Sequence, residues 1–172
     1  HIDEIRKLIL EDKNKEAYDA CDKYLLGKPL FVRSYQEVCD VLIKNNAKGE
    51  ASDYKRTLDM RTGIADVKYT QDGVCVKREY FISFAKDVMI IKTSADKPVL
   101  DISVAMERGR DCSIRSYDNY IMMNGQLVDL PTPHQGEGGS NMRFAAVVKV
   151  FSDGEIKLDG NTNVITVSGA SY

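Results

Sequence analysis

The hydrophobic period of this chain changes once, and that change limits the fold more than any other feature. Before Pro29 the apolar residues recur at helical spacing, and after it they alternate. Ile2, Ile5, Leu8 and Ile9 mark a first helix. Asn14 is suited to cap a second, because its side-chain oxygen accepts a free backbone N–H of the first turn. Tyr18, Cys21, Leu25 and Ala17 then form one apolar stripe. Gly27 is placed to end that helix in a left-handed conformation, and Pro29 prevents its continuation.

Beyond Pro29 the sequence reads as short strands separated by turns. Ile64 to Tyr69 alternates as a half-buried strand does, Gln71-Asp72-Gly73 turns, and Val74 to Tyr80 returns. Strands joined this closely pair antiparallel. Val88 to Thr93 reads as a buried strand, Ala95 to Pro98 as a turn, and Leu100, Ile102, Val104 and Met106 as one face of the next strand. Asn124-Gly125, between Tyr120–Met123 and Gln126–Leu130, predicts a two-residue hairpin. Asp153-Gly154, between Phe144–Phe151 and Glu155–Leu158, predicts another, and Val164–Val167 closes the series. Lys44–Asp53 is polar enough to read as loop. Pro131–Ser140, rich in Pro and Gly, reads as a mobile loop. Many short strands with turns at such spacing predict an antiparallel β-sandwich. The expected organisation is one domain over residues 1–172, helical over 1–29 and stranded over 30–172.

Composition excludes several classes of function. The chain has 172 residues, enough for a buried core. Its formal net charge of −2 gives no reason to expect nucleic acid or an anionic membrane as partner. No apolar run approaches the roughly 20 residues that span a bilayer, and no signal peptide is visible. The four cysteines, Cys21, Cys39, Cys75 and Cys112, are widely spaced and make no CxxC pair. They read as small buried hydrophobes and not as zinc ligands; a disulfide among them is left open.

Side chains able to carry chemistry are scattered. His134 sits in the Pro131–Ser140 loop near Glu137, but the other histidine is His1, so the three or four converging ligands of a metal site are missing. Glycoside hydrolysis needs two facing carboxyl groups, and Asp66, Asp72, Asp87 and Asp153 read as turn or surface residues. Gly136-Glu137-Gly138-Gly139 lacks the phosphate-loop pattern. Ser94, Ser103 and Ser168 fall in strands with no nucleophile elbow around them. Tyr35, Tyr54, Tyr69, Tyr80, Phe81, Phe84 and Tyr117 are candidates for stacking on sugar rings, against an ordinary packing role. No catalytic, metal-binding or cofactor-binding residue is assigned, and no cofactor is expected.

Tyr54-Lys55-Arg56-Thr57-Leu58-Asp59-Met60-Arg61-Thr62-Gly63-Ile64-Ala65 resembles the YxRxLDLxTAxA segment of glycoside hydrolase family 95, the α-L-fucosidase family. The likeness continues through Val67-Lys68-Tyr69, Asp72-Gly73-Val74, Lys77 to Ser83, Asp87 to Ile91, and Ser94 to Pro98. Ile5 to Ile9, Lys15-Glu16-Ala17 and Leu25 to Pro29 are similar to the helical segment before the family's YQ-containing strand, which here holds Tyr35-Gln36. Asn141 to Ala146 is similar to a later strand start. Val38-Cys39-Asp40 departs from the family's LGD-like triplet. The resemblance implies an N-terminal β-sandwich of the super-sandwich type, incomplete at both ends. It implies a non-catalytic role in a periplasmic or secreted enzyme that acts on α-L-fucosidic or α-L-galactosidic bonds of fucosylated glycans. The acid and base would then lie on a C-terminal helical barrel of the same polypeptide, against which this domain packs. The expectation of another class is a stand-alone carbohydrate-binding module, suggested by the Pro131–Ser140 loop and the tyrosines.

Overall fold

The computed structural model describes residues 1–28 and 30–172; Pro29, the expected helix breaker, lies outside them. These residues are mainly β, with eleven strands in antiparallel sheets after two short helices, as the alternating pattern predicts. They divide into two compact units, residues 1–36 with 126–142, and residues 37–125 with 143–172.

The first unit begins with α1 (Ile2–Leu10) and α2 (Asn14–Tyr24). Each helix buries one residue of its apolar stripe, Ile5 and Ala17. The ring of His1 stacks on that of Tyr24 at 3.8 Å. Three details depart from expectation. Lys13, not Asn14, caps α2, and the Asn14 amide instead donates to Asp12 at 3.0 Å. The helix stops at Leu25, before Gly27, with its last N–H on the Cys21 carbonyl. Tyr18 is 72% exposed, and the short Ala17 is the buried member of that stripe. Tyr35-Gln36 is not a strand. This segment is held by side chains instead: the Gln36 amide donates to Asp129 at 3.0 Å, and Arg33 lies 3.5 Å from the same carboxylate.

Among the described residues the strands form three sheets. The first has the order β1-β6-β11-β10, with β1 Asp40–Asn45, β6 Leu100–Glu107, β11 Val164–Ala170 and β10 Glu155–Asp159. The next has the order β2-β3-β4-β5, with β2 Ala51–Asp59, β3 Ile64–Gln71, β4 Val74–Ser83 and β5 Val88–Ala95. The last has the order β7-β8-β9, with β7 Cys112–Tyr117, β8 Tyr120–Asp129 and β9 Gly139–Lys149. Alternation in β6 is complete: Leu100, Ile102, Val104 and Met106 are buried. That single face feeds two core clusters. Leu100, Ile102 and Val104, with Val167 and Ala170, meet Tyr69, Val74 and Val76 of the β2–β5 sheet. Met106 and Ile165 meet Ile121 and Met123 of β8. The β1-containing sheet therefore forms one layer of a sandwich whose opposite layer is supplied by the other two sheets.

Two expected hairpins are absent for identifiable reasons. Asn124-Gly125 lies inside β8, where Asn124 pairs with Ser113 and Gly125 with Cys112, and neither has positive φ. Glycine is required there for space: a Cβ would stand 2.2 Å from the Phe144 ring and 2.4 Å from the Asp111 carbonyl. Asp153-Gly154 joins β9 and β10, which belong to different sheets. Asp153 instead closes the chain end, accepting from the backbone N–H of Ser171 at 2.8 Å and of Tyr172 at 3.1 Å, and from the Ser171 hydroxyl. The polar Lys44–Asp53 stretch holds the end of β1 and the start of β2, so only residues 46–50 are loop. The Asp72-Gly73 turn is as expected, with φ of 52° and 70°.

Candidate functional site

The β2–β5 sheet turns one face inward, and strand register lays that face out row by row. The row Tyr69, Val76, Ala95 is covered by the core. The next row is Arg56, Val67, Arg78, Thr93. After it comes Leu58, Ala65, Tyr80, Ile91, and then Ile82 opposite Met89. Leu58, Ile82 and Met89 are 59%, 74% and 64% exposed. This end of the inner face has no covering layer among the described residues. Val88 and Met89 are likewise exposed, so β5 is not the buried strand its composition suggests.

Where cover ends, a hollow of about 300 Å³ opens, lined by Asn45, Ala51, Tyr54, Val67, Tyr69, Gln71, Arg78 and Tyr80. That size is at the lower limit for small-molecule clefts. A bulge shapes its rim. Ser52 pairs with Thr70 and Lys55 with Lys68, so Asp53 and Tyr54 together oppose Tyr69, with Asp53 at φ 53°. The polar wall is already hydrogen-bonded. The Asn45 amide donates to Gln71 at 2.7 Å and to the Tyr69 hydroxyl at 3.2 Å, and the Gln71 amide donates to the Gly49 carbonyl at 2.5 Å.

Among the described residues, Arg78 is the one charged side chain in the lining. Its Nε is buried without an acceptor among the described residues, and neither Arg78 nor Arg56 has an ion pair there. A dry, unpaired donor of this kind costs about 1–3 kcal/mol. The alternation Val74, Val76, Arg78, Tyr80 carries the signal in the sequence: Arg78 has the parity of two core valines. Reading the aromatics and histidines alone misses it.

The side chains singled out in the sequence do not converge. His134 is exposed in the loop; its carbonyl accepts from the Phe31 N–H at 3.1 Å and its ring meets Phe31 edge-on at 5.9 Å. The carbonyl of Glu137 accepts from Arg33. No group of three metal-ligating side chains occurs among the described residues. Asp72 and Asp87 sit at positive φ in turns, and Asp66 takes the Thr57 hydroxyl on the outer face of the sheet. Ser94, Ser103 and Ser168 are strand residues. Of the aromatics, Tyr69 is in the core, Tyr35 and Phe84 are fully exposed, Tyr117 stacks on Tyr120 at 5.1 Å, and Phe81 pairs with Ile90. Tyr54 and Tyr80 reach the hollow. The four cysteines are free thiols. Cys75, expected inside, is exposed because it alternates with Val74 and Val76. Burial, then the neighbouring Asp40, pushes the Cys39 thiol above its ordinary pKa.

The model of the glycosyl hydrolase family 65 N-terminal domain matches residues 1–172. The chain belongs to this family of glycoside hydrolase N-terminal domains. Alpha-L-fucosidase 2 of Arabidopsis thaliana is 32% identical to it over 128 residues, which cover 71% of this chain and 15% of that protein. The glycoside hydrolase N-terminal domain thus spans about 15% of the length of the curated relative it matches.

Proposed function

We propose that this N-terminal domain is the non-catalytic β-sandwich of a family 95 glycoside hydrolase, with residues 1–172 acting as one domain. The parent enzyme hydrolyses α-L-fucosidic, or related α-L-galactosidic, bonds of fucosylated glycans. The observation that carries this reading is the 32% identity to a protein named alpha-L-fucosidase, within a chain matched throughout by a glycoside hydrolase N-terminal model. The Tyr54–Pro98 block supports family 95. The acid and base lie on a C-terminal helical barrel, and act by inversion, one carboxyl group protonating the leaving oxygen while the other activates water on the opposite face. The bare end of the β2–β5 sheet, with Leu58, Ile82, Phe84 and Met89 exposed, supports packing against such a domain, because apolar patches of this kind mark interaction surfaces. The working compartment is the periplasm or the exterior.

Nitrophenyl α-L-fucoside tests the division of labour. The isolated chain is expected to release no nitrophenol. A polypeptide that joins it to its helical barrel is expected to turn the substrate over with inversion, which proton NMR reads from the first anomer formed. Turnover by the pure chain, or a joined protein that hydrolyses another glycoside and not fucoside, overturns the reading.

A further inference from the structure

The hollow at the end of the core has the chemistry of a binding site. Among the described residues its only charge is the Arg78 guanidinium, no acid lines it, and the next cation along the same row, Arg56, is also without an ion pair. Asn45 and Gln71 are committed to each other, to Tyr69 and to Gly49, so they fix the wall and leave the guanidinium as the strong donor. A planar guanidinium matches a carboxylate through two parallel hydrogen bonds, and matches a neutral hydroxyl less well. Tyr54, 60% exposed, and half-buried Tyr80 add aromatic faces with polar tips, which suit a ring that is apolar on its faces and hydroxylated at its edge.

We propose that this hollow binds a small hydroxylated ring bearing a carboxylate, the chemical class of a uronic acid, with its carboxylate on Arg78 and its ring between Tyr54 and Tyr80. Arg56 adds attraction from the rim without closing the contact. The inference does not rest on the parent enzyme's glycosidic specificity.

Titration of the chain with sodium glucuronate, followed by nitrogen–proton NMR at constant ionic strength, tests this. Saturable shifts are expected at the Arg78 Nε–H and at the backbone amides of Val67, Gln71 and Tyr80. Arg78→Gln should weaken binding by about 10-fold or more, the loss of hydrogen bonds to a charged group. Tyr54→Ala, at an exposed position that does not endanger folding, should weaken it while leaving the dispersed spectrum intact. Acetate and glucose separate the two halves of the ligand, and each should shift these signals far less than glucuronate. Four results would overturn the assignment: no saturation, glucose equal to glucuronate, acetate equal to glucuronate (an anion site only), or unchanged affinity in both variants.

Discussion

An alanine at position 125 would place its methyl carbon 2.2 Å from the Phe144 ring, whose edge lies over the strand where other residues carry a side chain. Gly125→Ala is therefore expected to cost about 1–3 kcal/mol through overpacking, read as a lower urea midpoint at unchanged m-value. The Asn124-Gly125 pair is also where the sequence misleads most. Asn-Gly suits a tight turn, but the space needed by Phe144, nineteen positions downstream of Gly125 in the chain, decides the outcome, and no local pattern reports it. Asp153 gives a second residue-level prediction. The Ser171 hydroxyl, followed by backbone N–H donors, holds its carboxyl below the usual value of 3.8. A folded-state pKa that is depressed stabilises the fold above the unfolded pKa, and the contribution is lost as pH falls through the folded one. Asp153→Asn should accordingly lower stability at neutral pH, with the difference from wild type shrinking in acid below the ordinary carboxyl value of 3.8. Denaturant midpoints across pH 2–7 would show a constant difference if Asp153 were uncoupled from Ser171 and Tyr172.

Among the elements, β6 was legible because its alternation is unbroken and one face is fully buried. The β3–β4 hairpin was legible because both turn residues favour positive φ. The start of β2 was not: all nine of its residues are exposed, so its first residues share the composition of a loop. The β1 strand hides the same way, since Ile43 and Asn45 are its only half-buried residues. Strand existence there is fixed by partners, β6 for β1 and β3 for β2, and not by the strand's own residues. In β11, Ile165 is fully buried between β6 and the second core cluster. Ile165→Ala should cost about 2–5 kcal/mol by removing buried carbon and leaving a cavity. Leu58→Ala, on exposed β2, should stay within about 0.5 kcal/mol of wild type. Comparable losses in thermal or urea unfolding would contradict the burial pattern.

For the molecule as a whole, the sandwich class was readable from turn spacing, whereas the extent of cover was not. Alternation tells which side of a strand faces inward; it does not tell where the opposing layer stops. Arg78 and Tyr80 follow Val74 and Val76 on one face, and the core ends between them. For the same reason the hollow could not be placed from the aromatics alone, although three of them, Tyr54, Tyr69 and Tyr80, line it. The uncovered apolar end should make the chain self-associate at high concentration. Ile82→Lys with Met89→Lys is expected to reduce sedimenting aggregates while changing stability by no more than about 0.5 kcal/mol per site. Equal aggregation in the double variant would move the sticky surface elsewhere.

The bulge at Asp53 and Tyr54 matters for more than the rim of the hollow. β2 is the edge strand of its sheet, and an edge offers its free amides and carbonyls to any extended chain that comes alongside. Between Ser52 and Lys55 the regular ladder is interrupted, so an incoming strand in register with Lys55–Asp59 loses register before it reaches Ala51. Lys55, Arg56 and Asp59 charge the remaining run. The irregularity that turns a tyrosine toward the hollow also makes this edge a poor template for a growing fibril.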